Sequence, residues 1–97
     1  MDAQEFMQGH ADKAVEGKIA EIMGDLTPEA LAQVGALMAG GPNPLKANTV
    51  VAVGSEGDDH IFDVTYTGDG AAVTSMREWV RKDPAGVWKI VKLAKPS

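Results

Sequence analysis

The chain contains no cysteine, which excludes a disulfide framework and any thiolate-bound metal. No apolar run approaches the roughly 20 residues needed to span a bilayer. The opening stretch MDAQEFMQGHADK lacks a basic segment followed by an apolar core, which argues against a retained signal peptide. Cytoplasmic residence is the default expectation, and a leader already removed is the open alternative to it. No nucleophile motif, phosphate loop or heptad repeat is present. GGPNP and GSEG carry glycines but lack the strand, glycine loop and helix order of a dinucleotide site, so no cofactor is expected.

What is present is the profile of one soluble domain spanning residues 1–97, with 44% hydrophobic and 24% charged residues. The formal charge of −5 is unevenly spread. Residues 1–69 hold three lysines against twelve acids, and residues 70–97 hold six bases against two acids. The basic set is Arg77, Arg81, Lys82, Lys89, Lys92 and Lys95. Spread along two alternating strands, it reads as a solvated face or as partners for acidic helices, and no nucleic-acid partner is expected. The polar faces of the helices are acidic, which disfavours an anionic membrane surface.

Periodicity predicts a first helix over about 2–24, with Met7, Ala11, Val15, Ile19, Ile22, Met23 and Leu26 as its apolar stripe. Gly9 and Gly17 each weaken it by about 1 kcal/mol relative to alanine. A second helix is predicted over about 28–39. Thr27 suits its N-cap, Pro28 its first position, and Gly40-Gly41-Pro42 its end. The pattern then changes to strands over about 47–55, 60–67, 71–82 and 87–94, separated by short turn-forming stretches. The expected class is α+β: two N-terminal helices packed on one face of a four-stranded antiparallel meander.

Helices first, long hairpin strands next, and the ending WVRKDPAGVWKIVKL together resemble the NTF2-like (SnoaL-like, cystatin-like α+β) superfamily. The residues that carry the resemblance are Gly86, Trp88, Lys89 and Ile90, with Val64 and Tyr66 in FDVTYTGDG. The chain is shorter than typical members by about one helix and one strand. The resemblance implies this fold, often as a dimer. It also implies a range of roles: isomerases, cyclases, epoxide hydrolases, small-ligand binders and inactive partner-binding domains.

The conspicuous cluster Asp58-Asp59-His60 invites comparison with a metal site. Strand alternation instead splits it between two faces, and the aspartates read as turn residues. The only other histidine is His10, on the first helix, so no metal site is expected. The inward row of the second strand is His60, Phe62, Val64 and Tyr66. His60 and Tyr66 lie roughly 20 Å apart along it and cannot act together on one small substrate. Tyr66 is a candidate hydrogen-bond donor to a ligand, and His60 reads as a rim residue.

The third strand has two alternatives, inward Val73, Ser75, Arg77 and Trp79, or inward Thr74, Met76, Glu78 and Val80; the second is the more apolar. An inward Glu78 would be a buried ion pair or a base of raised pKa, while a solvated place at the sheet end is the preferred expectation. On the last strand Trp88 and Ile90 share one face, and Val87, Val91 and Leu93 the other. Two apolar faces suggest a homodimer formed through the sheet, reinforced by Trp79.

The expected function is therefore non-catalytic binding of a small apolar ligand or a protein partner, probing Tyr66, His60, Phe62, Glu78, Trp88 and Met38 as lining residues. The alternative is a lyase or isomerase of polyketide- or steroid-like molecules, with Tyr66 as donor and Glu78 or His60 as base. No catalytic residue is otherwise assigned. A cavity lined by Tyr66 and an ionisable group favours a binder or an enzyme. A core filled by Phe62, Met38, Trp88 and Ile90 favours a structural interaction module.

Overall fold

A computed structural model describes residues 1–42, 44–70 and 72–96. Helices α1 (Ala3–Val15), α2 (Ile19–Gly24) and α3 (Pro28–Met38) precede strands β1 (Ala47–Glu56), β2 (Asp59–Thr67), β3 (Val73–Lys82) and β4 (Trp88–Ala94). The strands form one antiparallel sheet in the order β1-β2-β3-β4, with the helices on one face. The α+β expectation and the meander are thus found. No helix among the described residues is long and apolar enough to cross a membrane.

The single long first helix is not found: it breaks after Val15. Gly17 sits at φ +77°, and its N–H donates to the Ala14 carbonyl while that of Lys18 donates to Lys13. This is a Schellman stop, which closes the last turn and turns the chain away. Apolar spacing continues past the break, which is why periodicity alone joins the two helices. The consequence is that α2 holds no buried residue, and Ile19 and Met23 remain 58% and 46% exposed.

The other helix ends follow local chemistry. Asp2 and Glu5 form a reciprocal capping box at the start of α1, with Asp2 Oδ1 accepting the Glu5 N–H at 2.8 Å. Thr27 Oγ1 accepts the Ala30 N–H at 3.3 Å, and Pro28 occupies the first turn of α3.

The register of β3 turns Met76, Glu78 and Val80 toward the helices, beside Val64, Phe62 and His60 of β2. In β4 the alternation fails. Val80 pairs with Ile90 and Trp79 with Lys92, so Val91 is an extra, bulged residue. Ile90 and Leu93 therefore both point inward and are buried, while Lys92 turns outward with its Nζ 4.4 Å from the Trp79 ring centre. This corrects the expectation of two apolar faces on β4, because the bulge moves Leu93 onto the same face as Ile90. The outer face instead carries a bidentate Arg77–Asp63 pair, at 2.7 and 2.9 Å, and Arg81 near Asp59.

The free edge of β4 is covered by the α2–α3 junction. The Ile90 N–H donates to the Asp25 carbonyl at 2.8 Å, the Thr27 N–H donates to the Ile90 carbonyl at 3.0 Å, and Gln33 Oε1 accepts the Leu93 N–H at 2.8 Å. The core between the layers is built from Met7, Ala11 and Ala30 against Phe62, Val64, Met76, Val80, Ile90 and Leu93. Burial of these side chains is the main favourable term for the fold.

The break at Gly17 reverses the sign of a simple substitution. In an uninterrupted helix Gly17→Ala would add about 1 kcal/mol of stability. At a left-handed residue it should instead cost about 1–2 kcal/mol, seen as a lower urea midpoint.

Candidate functional site

The core does not fill the space between the layers. A cavity of about 700 Å³ remains beneath the helices. Its helical walls are Ile19, Ile22 and Met23 of α2 and Leu31, Val34 and Met38 of α3, and its floor includes Tyr66, Met76, Glu78 and Leu93. The small residues Ala14 and Gly17 line the end of α1, where larger side chains would close the gap.

Three polar side chains reach this largely apolar space. Glu78 lies in the third strand of four, between Phe62 of β2 and Leu93 of β4, and is 1% exposed. The expected solvated position at the sheet end is therefore wrong: Glu78 sits within a strand flanked on both sides and roofed by helices. Its Oε2 is buried without a hydrogen-bond partner among the described residues. Burial pushes its carboxyl up to about 8, so at neutral pH it is mostly the uncharged acid. Tyr66 is also buried, and burial, followed by the charge of Glu78 once it ionises and that of Asp12, drives its phenol upward. It remains a neutral hydroxyl throughout the physiological range.

The third is His10, 6% exposed, on the same face of α1 as Met7, Ala11 and Ala14. Its Nδ1 lies 2.9 Å from Asp25 Oδ2, an oxygen that Lys13 Nζ also approaches at 2.9 Å. Burial alone would raise the Asp25 carboxyl, but the hydrogen bonds and charges of His10 and Lys13 outweigh it and hold the group below the usual value. The sequence pattern alone marks neither His10 nor Asp25 as a site residue. The available signal was a histidine standing on the apolar stripe, one turn beyond Met7.

The structure brings Tyr66, Glu78 and Met38 together around the cavity and separates the remaining candidates from it. Phe62 belongs to the packed core. His60 is exposed at the rim and meets Trp88 edge-on, with ring centres 5.7 Å apart. Trp88 also stacks on Phe6 and donates its indole N–H to the Met1 carbonyl at 3.1 Å. Beside it, a wider surface furrow of about 890 Å³ runs past Arg81, Lys82, Asp83 and Lys89. That furrow carries charges of both signs on solvent-facing side chains. The helix–sheet cavity is the stronger candidate because its lining includes a residue with a buried, unpartnered carboxyl oxygen.

Among the described residues no group of three or more histidine, aspartate and glutamate side chains is placed to hold a metal. Asp58 is exposed beside Gly57, which has φ +60°, and Asp59 turns to the outer face near Arg81. Comparison of the chain with family models, with curated proteins and with solved structures finds no match.

Glu78 gives stability a specific pH dependence. The native group keeps its proton to higher pH than the unfolded chain, so stability falls as pH rises from the ordinary 4.5 toward about 8. The slope approaches about 1.4 kcal/mol per pH unit. Asp63, held low first by its hydrogen bonds from Arg77, and Asp25 act in a separate acid window. Their stabilisation is present above 3.8 and lost as pH falls below it. In Glu78→Gln the decline above 4.5 should flatten, measured as urea midpoints across that window.

Proposed function

We propose that the protein binds a small, mostly apolar molecule in the cavity between helices and sheet, acting in the cytoplasm. Glu78 and Tyr66 hold the polar end of that molecule. One observation carries this reading: the Glu78 carboxyl is buried, has no partner for Oε2 among the described residues, and belongs to a residue that lines an apolar space of about 700 Å³. Pockets that enclose small molecules run to roughly 300–1,000 Å³ and combine apolar walls with a few polar groups. A protonated Glu78 and the Tyr66 hydroxyl both donate hydrogen bonds, which selects a ligand with an acceptor oxygen such as a carbonyl.

A second reading, a lyase or isomerase of polyketide- or steroid-like molecules, is favoured by the same carboxyl. With its pKa raised to about 8 it can give and take a proton near neutrality, as a general acid or base must. Both readings are in keeping with the resemblance to SnoaL-like domains. A homodimer through the outer sheet face is also part of the proposal. Its support is the exposed Val51 and Val73 with the half-buried Trp79 on that face, since β4 itself has only one apolar face. Sedimentation at micromolar concentration should give about twice the 10.2 kDa chain mass, and a monomer would refute the dimer.

Ligand binding is tested by melting the protein against a panel of apolar ketones, lactones and phenols. At a ligand concentration of 100 times Kd, stability rises by about 2.7 kcal/mol. Tyr66→Phe and Glu78→Gln should each weaken binding by about tenfold, and Val34→Phe, which fills the cavity, should abolish it. A panel that leaves the melting temperature unchanged sinks the reading.

A further inference from the structure

We infer that His10, oriented by Asp25, is a catalytic base facing the same cavity as Glu78, and that the two transfer protons on a small apolar carbonyl compound. The inference rests on the reading of the cavity as a small-molecule site and adds to it a second working residue.

The His10 ring lines the cavity, and its Nδ1 is engaged by Asp25 at 2.9 Å. A carboxylate on Nδ1 keeps that nitrogen protonated, so in the neutral ring Nε2 is the bare, accepting one. The one side-chain hydrogen bond recorded for the ring among the described residues is that of Nδ1 with Asp25. Asp25 is fixed in turn. Its backbone carbonyl accepts the Ile90 N–H at 2.8 Å, and its Oδ2 also meets Lys13 at 2.9 Å. The dyad is thus held by α1, by the end of α2 and by the edge of β4, while Glu78 rises from β3. A buried histidine with an oriented tautomer and a buried acid sharing one apolar cavity make a general base and a general acid on one substrate.

The step needs no co-reactant. His10 Nε2 takes a proton from the carbon beside the carbonyl, and the C–H electron pair becomes a carbon–carbon double bond. The carbonyl π pair moves to oxygen, which takes the proton of Glu78. Return of the proton from His10 to a conjugated carbon, and of the hydroxyl proton to Glu78, gives an isomer of the substrate and restores both residues.

The test uses the whole chain and a nitrobenzisoxazole, an apolar probe whose ring opens when one carbon-bound proton is removed. The base takes the proton, the C–H pair forms a nitrile, and the N–O bond breaks to a coloured phenolate. A non-reacting nitroindazole measures binding separately. Wild type should turn the probe over about 100-fold faster than free imidazole at equal concentration. His10→Asn, which keeps a donor toward Asp25, should lose that about 100-fold while binding nitroindazole within about threefold of wild type. Asp25→Asn should lower kcat and leave KM unchanged, the mark of a lost tautomer rather than lost binding. In ¹⁵N-labelled wild type, which needs no variant to fold, His10 should show the tautomer protonated on Nδ1. Nitroindazole binding with no acceleration, or with acceleration kept in His10→Asn, overturns the inference and leaves the ligand site standing. The opposite tautomer overturns it likewise. Failure of nitroindazole to bind overturns both.

Discussion

The helical layer is tied to the sheet by a two-sided backbone clasp on Ile90, whose N–H donates to Asp25 and whose carbonyl accepts from Thr27. The clasp satisfies the outward-facing groups of a strand that would otherwise be an open edge. It also fixes three things on one short segment. The Asp25 side chain is delivered to His10, the Thr27 side chain caps α3, and α3 is set across the end of β4 with Gln33 on the Leu93 N–H. With the helices hung from the edge of the sheet, they need not settle fully onto its centre. The cavity is the space left beneath them.

That geometry explains how a carboxyl can be tolerated in the interior. Glu78 stands on a strand with neighbours on both sides, so it cannot reach solvent at a sheet edge. Ionising it there without a partner is costly, and it keeps its proton instead. The opposite face of β2 and β3 is arranged differently. Asp63 and Arg77 satisfy one another in a bidentate pair, and Lys92 lies over Trp79. One face of the same two strands holds paired charges near water, and the other holds a single unpaired acid away from it.

The strands, the caps at Thr27 and Pro28, and the α+β class were legible because each rests on local chemistry: alternation, turn residues, a hydroxyl before a proline. Three features were not. The stop at Gly17 hides behind apolar spacing that continues through Ile19 and Ile22. The bulge at Val91 changes the facing of Leu93, and no residue in VWKIVKLA announces it. The depth of Glu78 depends on which neighbours flank β3 and what roofs them, a property of the assembled sheet. Within the site, Tyr66 was legible from its inward row. His10 was not legible, because its partner lies 15 residues away, beyond a helix break that sequence spacing does not register.

The cavity is walled on one side by α2, a helix of six residues with none buried. Sheet hydrogen bonds, by contrast, belong to the cooperative body of the fold. Displacing α2 ahead of the Asp25–Ile90–Thr27 clasp uncovers the interior while the clasp and the pairings of β1 to β4 stay made, so traffic into the cavity and persistence of the fold rest on different parts of the chain. Changes in α2 can then alter how fast a molecule enters or leaves while the sheet keeps the floor of the site in place.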